Sequence, residues 1–271
     1  MTNQTINTGG STLSQIGLIN ALFIDQASNN IYLSDTGSYC MPVYCYGYAN
    51  NRIQIWSLDP GTVAGTTVAG IGAYSAPGLY NTIATSYGLY VDSSGTLFVS
   101  DYGNHRVTKW IRNSVSGILV AGTGIFGSNL THLYGPRGVW VDGNGDLFVV
   151  DSYNHRVVKW SMNATSGILV AGGFGPGPFS TQLNYPTAII MDGYGNMLIL
   201  DSGNQRIQQF TPGSNIGITV FDGSYNSGFS MNSYSMAIDS FGNLYVSDYN
   251  GMRIQKINLV SSSSCTGMLS S

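Results

Sequence analysis

Short apolar runs rich in Val, Ile, Leu, Phe and Tyr recur along this chain, each bounded by Gly, Asn, Asp or Ser, and they recur in a fixed order. Gly88-Leu-Tyr-Val-Asp92 is followed by Leu97-Phe-Val-Ser-Asp101, Asn104-His-Arg-Val-Thr-Lys-Trp110 and Gly117-Ile-Leu-Val-Ala-Gly122. The series returns from Gly138, again from Ala188 and once more from Met236, and an earlier copy runs through Leu22, Ile31 and Arg52. Arginines at 52, 106, 156, 206 and 253 mark five copies, spaced by 54, 50, 50 and 47 residues. Runs bounded by turn residues read as short antiparallel strands, four to a copy. The turns Asp92-Ser-Ser-Gly95, Asp142-Gly-Asn-Gly145, Asp192-Gly-Tyr-Gly195 and Asp239-Ser-Phe-Gly242 join the first two strands, with Asp bonding amides ahead of it and Gly taking a positive φ. The first copy lacks that Gly and offers Asn29 and Asn30 instead. Runs such as Leu-Phe-Val-Val are apolar on both faces, as sheets covered on each side require. A period near fifty, four strands per repeat and two-sided burial predict an all-β propeller of four-stranded antiparallel blades.

The pattern Val-Asp-x-x-Gly-x-Leu-x-Val-x-Asp-x-x-Asn-x-Arg-Ile/Val resembles NHL repeats over nearly the whole chain. The resemblance implies one propeller domain over residues 1–271, with repeats at about 17–70, 88–122, 138–173, 188–223 and 235–271. NHL rings usually hold six blades, whereas five motifs occur here. The expectation is a five-bladed ring, with part of a six-bladed ring as the alternative.

Charge is scarce and mostly accounted for. Only 8% of residues are charged, net charge is −3, and all thirteen acids are Asp. Ten of these are repeat positions, as are five of the seven arginines. Asp35, Asp101, Asp151, Asp201 and Asp248 end second strands, while Arg52, Arg106, Arg156, Arg206 and Arg253 open third strands. A hairpin places each Asp opposite its Arg, which predicts a structural ion pair in every blade. Few carboxylates remain for acid–base work. The shortage of Lys and Arg counts against nucleic acid, and no apolar run is long enough for a membrane helix. Met1-Thr-Asn-Gln-Thr lacks the basic and apolar regions of a signal peptide.

Candidate chemistry lies in the loops. The turns between second and third strands share a face with the long inter-blade loops, which carry Phe126, His132, Tyr134 and Arg137 in one and Phe174, Phe179 and Tyr185 in the next. The first copy adds an insertion on that face with Tyr39, Tyr44, Tyr46 and Tyr48, a density like that of a paratope. Shielding of a blade edge is the competing reading of that insertion. Cys40 and Cys45 lie within it, and a disulfide between them would stiffen it in an oxidising compartment. Asn-x-Ser/Thr sequons at Asn3, Asn129 and Asn163 point the same way, towards an extracellular or secretory setting. His105 and His155 occupy equivalent exposed turns, and with His132 they form the weak candidate set for zinc.

The sequence therefore predicts a monomeric, non-catalytic binding propeller without a cofactor, engaging a protein or glycan through its loop-rich face. The rival is a metal-dependent lyase or hydrolase resembling the peptide-amidating lyase propeller, using one of the three histidines with Arg137 and a Tyr. A second rival is an RNA-binding or ubiquitin-ligase-associated NHL module, which the near-absence of free basic residues disfavours.

Overall fold

The computed structural model describes residues 12–14, 16–36, 50–72, 79–223 and 233–258. The insertion bearing Tyr39, Cys40, Tyr44, Cys45, Tyr46 and Tyr48 lies outside them. Among the described residues nineteen strands form five antiparallel sheets. Blade 1 comprises β1 (Ile19–Asp25), β2 (Asn30–Asp35), β3 (Arg52–Ser57) and β4 (Thr66–Ala69). Blade 2 comprises β5 (Ser86–Val91), β6 (Leu97–Asp101), β7 (Arg106–Trp110) and β8 (Ile118–Gly122). Blade 3 comprises β9 (Pro136–Val141), β10 (Leu147–Asp151), β11 (Arg156–Trp160) and β12 (Ile168–Gly172). Blade 4 comprises β13 (Pro186–Met191), β14 (Met197–Asp201), β15 (Arg206–Phe210) and β16 (Ile218–Asp222). Blade 5 has three described strands, β17 (Ser233–Ile238), β18 (Asn243–Asp248) and β19 (Arg253–Asn258). Strands β1, β5, β9, β13 and β17 jointly line one axial cavity of about 400 Å³, so the molecule is a five-bladed propeller.

The local turns follow the sequence logic. Asp92 Oδ1 accepts the amides of Ser94 and Thr96, and Gly95 sits at φ +80°. In blade 1, Asn29 takes the left-handed conformation at φ +54°, which Asn tolerates better than most residues. Between second and third strands the chain makes a 3₁₀ turn closed by a left-handed residue, His105, His155 or Gln205.

Apolar clusters fill the joints between consecutive blades. Val107, Ala121 and Leu133 meet Val139, Leu147 and Val149 at the joint of blades 2 and 3, and Val150, Val157 and Leu183 meet Ile189, Met197 and Ile199 at the next. Central strands are consequently buried on both faces, as in β10. The blade 5–blade 1 junction differs. The residue following the repeat arginine is 0% exposed in Ile53, Val107, Val157 and Ile207, yet Ile254 is 75% exposed. Across from it Leu22 is 58% exposed, against 8% for its counterpart Leu89. An open cleft of about 600 Å³ separates β1 from blade 5.

Candidate binding face at the channel mouth

Each repeat Asp stands opposite its Arg in the strand register and binds it. The Nε–Oδ2 distances are 2.9 Å for Arg52–Asp35, 2.8 Å for Arg106–Asp101, 2.7 Å for Arg156–Asp151, 2.8 Å for Arg206–Asp201 and 3.1 Å for Arg253–Asp248. The pair also pins the incoming inter-blade loop. Asp151 Oδ1 accepts the Tyr134 amide at 2.6 Å, while Arg156 donates to the carbonyls of Ser128, Asn129 and His132. Arg206 does the same to Pro178, Phe179 and Gln182. Burial pushes the Asp101, Asp151 and Asp201 carboxyls up, against the pull of their Arg, Asn and amide partners. These charges are occupied in holding loops in place.

With the loops pinned, their aromatic side chains meet those of the 3₁₀ turns. Tyr134 stacks on Tyr153 at 4.6 Å and 28°, and its other flank meets Phe126 at 5.2 Å and His105 at 5.5 Å. Tyr153 meets Tyr185 edge-on at 5.5 Å, and Tyr185 meets His155 at 4.8 Å. The Tyr102 and Tyr153 hydroxyls hydrogen-bond at 2.8 Å. Burial and that bond push the Tyr102 phenol up to about 12. Gly135 is required here, because it has φ +60° and a Cβ would stand 2.4 Å from the Tyr153 ring. At the equivalent position of the next blade, Tyr185 holds φ +45°, a strained conformation for a bulky residue.

Arg137 lies at the centre of the mouth. It occupies the second position of β9, a register shared around the ring by Asn20, Tyr87, Thr187 and Tyr234. Its guanidinium carbon stands 4.5 Å from the Tyr87 ring centre, 5.3 Å from Tyr102 and 5.2 Å from Tyr234, on three different elements. Its Nη1 is buried and has no hydrogen-bond partner among the described residues. Beside it opens a cavity of about 390 Å³, lined by Arg137, Tyr153, Asn184, Tyr185, Thr187 and Tyr234.

Among the residues singled out from the sequence, Phe126, Tyr134, Tyr185 and Arg137 come together on this face. Phe179 is exposed on the same side but makes no ring contact with the array. The sequence reading missed Tyr87, Tyr102, Tyr153 and Tyr234. Aligning the second position of every inner strand would have singled out Tyr87 and Tyr234 beside Arg137.

His105 and His155 require a correction. Expected as exposed turn residues, they are half-buried and bridge blades: His105 Nδ1 accepts the Gly135 amide at 3.2 Å, and His155 Nδ1 accepts the Tyr185 amide at 3.0 Å. Burial lowers both imidazoles from their ordinary value. His132 bonds Thr131 within its own loop. No group of three or more His, Cys, Asp or Glu able to hold a metal occurs among the described residues. No described helix is long and apolar enough to cross a membrane.

Comparison with known proteins agrees with this architecture. The NHL repeat family model matches residues 88–110 and 133–160. No curated protein matches the chain. Among solved structures, a chain of a nidogen/laminin complex is 18% identical with a TM-score of 0.64, covering 89% of this chain and 76% of that one. A streptogramin B lyase is 12% identical with a TM-score of 0.56, covering 95% and 72%. An auxiliary nutrient binding protein from Bacteroides thetaiotaomicron VPI-5482 is 12% identical with a TM-score of 0.62, covering 89% and 58%. At these identities the likeness is one of fold. Repeat motif, blade order and ion-paired hairpins converge on one assignment: the protein is a five-bladed β-propeller that carries NHL repeats at residues 88–110 and 133–160.

Proposed function

We propose that this protein is a non-catalytic binding propeller, a single domain over residues 1–271, whose protein or glycan partner docks on the face carrying the inter-blade loops. The observation that carries this reading is the continuous aromatic array from Phe126 through Tyr134 and Tyr153 to Tyr185. Large aromatics held by neighbours lose little freedom on binding and present broad amphipathic contact area. Strain at Tyr185 supports it further. A glycine there, as at 135, would relieve the backbone, yet the chain carries an exposed Tyr. A nidogen/laminin complex and a nutrient binding protein among the similar structures lend support at the level of fold. An extracellular or secretory setting fits the Cys40 and Cys45 spacing in the Tyr-rich insertion, which belongs to the same docking face in this reading.

The test is a screen of the full chain against a glycan array and a panel of secreted proteins, repeated with the Phe126→Ser/Tyr134→Ser/Tyr185→Gly variant. Binding lost at unchanged melting temperature is the expected result. A control variant, Tyr194→Ser/Phe241→Ser, alters exposed turns on the opposite face and should leave binding intact. Loss of binding in the control alone would contradict the reading.

A further inference from the structure

Arg137 gives the face a chemical preference. We infer that the channel mouth takes the carboxylate of an acidic sugar, a hexuronic acid residue, with Arg137 holding the carboxylate and the neighbouring tyrosines holding the pyranose ring. The inference rests on the binding reading above and sharpens its ligand class.

Three observations lead there. First, the guanidinium is charged but not neutralised: none of the ion pairs among the described residues includes it. The repeat aspartates cannot serve it, because each is bound to its own Arg. Second, the three surrounding rings stabilise its charge through their faces, and none of their hydroxyls accepts a hydrogen bond from Nη1. Nη1 is buried with no acceptor, an arrangement that a planar two-oxygen acceptor completes through parallel hydrogen bonds. Third, the adjoining cavity of about 390 Å³ is walled by Tyr153, Tyr185 and Tyr234. This is within the size range of small-ligand sites. Aromatic faces match the C–H face of a pyranose, and Asn184 adds an amide at the rim. A peptide carboxylate would satisfy Arg137 as well but would leave this broad aromatic wall without a flat partner, so the sugar is the better fit.

The experiment is isothermal titration of the full chain with three probes: methyl glucuronide, methyl glucoside and N-acetylglutamate. The expected result is a methyl glucuronide affinity about tenfold or more above that of methyl glucoside, weakening with salt, and little binding of N-acetylglutamate. Arg137→Met should erase the preference, bringing methyl glucuronide down to the affinity of methyl glucoside. Arg137→Lys should keep part of it, since a point charge replaces the planar fork. Melting curves of both variants establish that they are folded. Equal affinity for the two sugars, or a preference that survives in Arg137→Met, overturns the inference. If that equal binding falls with Tyr185→Gly, the broader binding reading stands while the acidic preference fails. Binding of N-acetylglutamate as tight as methyl glucuronide overturns the choice of a sugar, and binding of neither sugar overturns the inference altogether.

Discussion

Two kinds of arginine divide this molecule into two regions. Behind every hairpin a repeat Arg is clasped by an Asp and, in blades 1 to 4, donates its remaining N–H groups to loop carbonyls. At the channel mouth Arg137 meets the faces of three tyrosine rings and, among the described residues, no ion-pair partner. In the first region the cation is spent on the fold. Its removal would leave a buried carboxylate and several loop carbonyls without partners. In the second, the described residues supply a charge, a cavity and aromatic walls but no hydrogen-bond acceptor for Nη1. The same side chain is therefore structural where its donors are satisfied internally, and in the reading proposed above it serves recognition where they are not.

The largest effect expected from breaking this contrast is in the hairpins. Arg156→Met strands Asp151 without its charge partner and should destabilise the fold by about 3–5 kcal/mol, read by urea unfolding. Next come the blade joints. Ile207→Ala should cost about 2–5 kcal/mol through a buried cavity. Ile254→Ala, at the same repeat position on the open junction, should stay within about 0.5 kcal/mol. Equal losses at the two positions would show that the blade 5–blade 1 junction is as tightly packed as the others. Gly88→Ala would set a Cβ 2.1 Å from the Arg137 carbonyl and should cost about 1–3 kcal/mol by overpacking, with the mouth distorted as well.

The histidine bridges give a smaller, pH-dependent effect. Each Nδ1 must be unprotonated to accept its amide, and burial lowers both imidazoles below the ordinary 6.5. Their contribution is therefore fully present above about pH 6.5 and is lost as pH falls through the folded-state values. Between about pH 7.5 and pH 5 the wild type should lose more melting temperature than His105→Gln/His155→Gln, by an amount set by hydrogen bonds worth about 0.5–1.5 kcal/mol each. An identical pH response in the variant would contradict the bridging role.

Much of the architecture was legible because it is local. Asp101 and Arg106 lie five residues apart, and a hairpin leaves them little choice but to face each other. Asp92 and Gly95 write their turn in four residues. The mouth is different in kind. Tyr87, Arg137 and Tyr234 come from three blades, and their meeting depends on ring radius and on which way each inner strand's second residue points. Loop composition picked out Tyr134, Tyr185 and Arg137, but Tyr102 and Tyr153 sit at the unspecified positions between Asp and Asn of the repeat motif. The histidines were misjudged for the same reason. Their amide partners, Gly135 and Tyr185, are thirty residues away and belong to the next blade's loop. The open junction at Ile254 was likewise not legible, since Arg253-Ile254 repeats the Arg-Ile/Val step of the buried copies.

The most direct measurement is the melting temperature of Arg137→Met beside Arg156→Met, determined in one buffer. A large fall is expected for Arg156→Met and a change of no more than a degree or two for Arg137→Met, because only the first removes a cation that holds the fold together. A fall in Arg137→Met as large as that of Arg156→Met would contradict this expectation, and would make Arg137 another structural arginine.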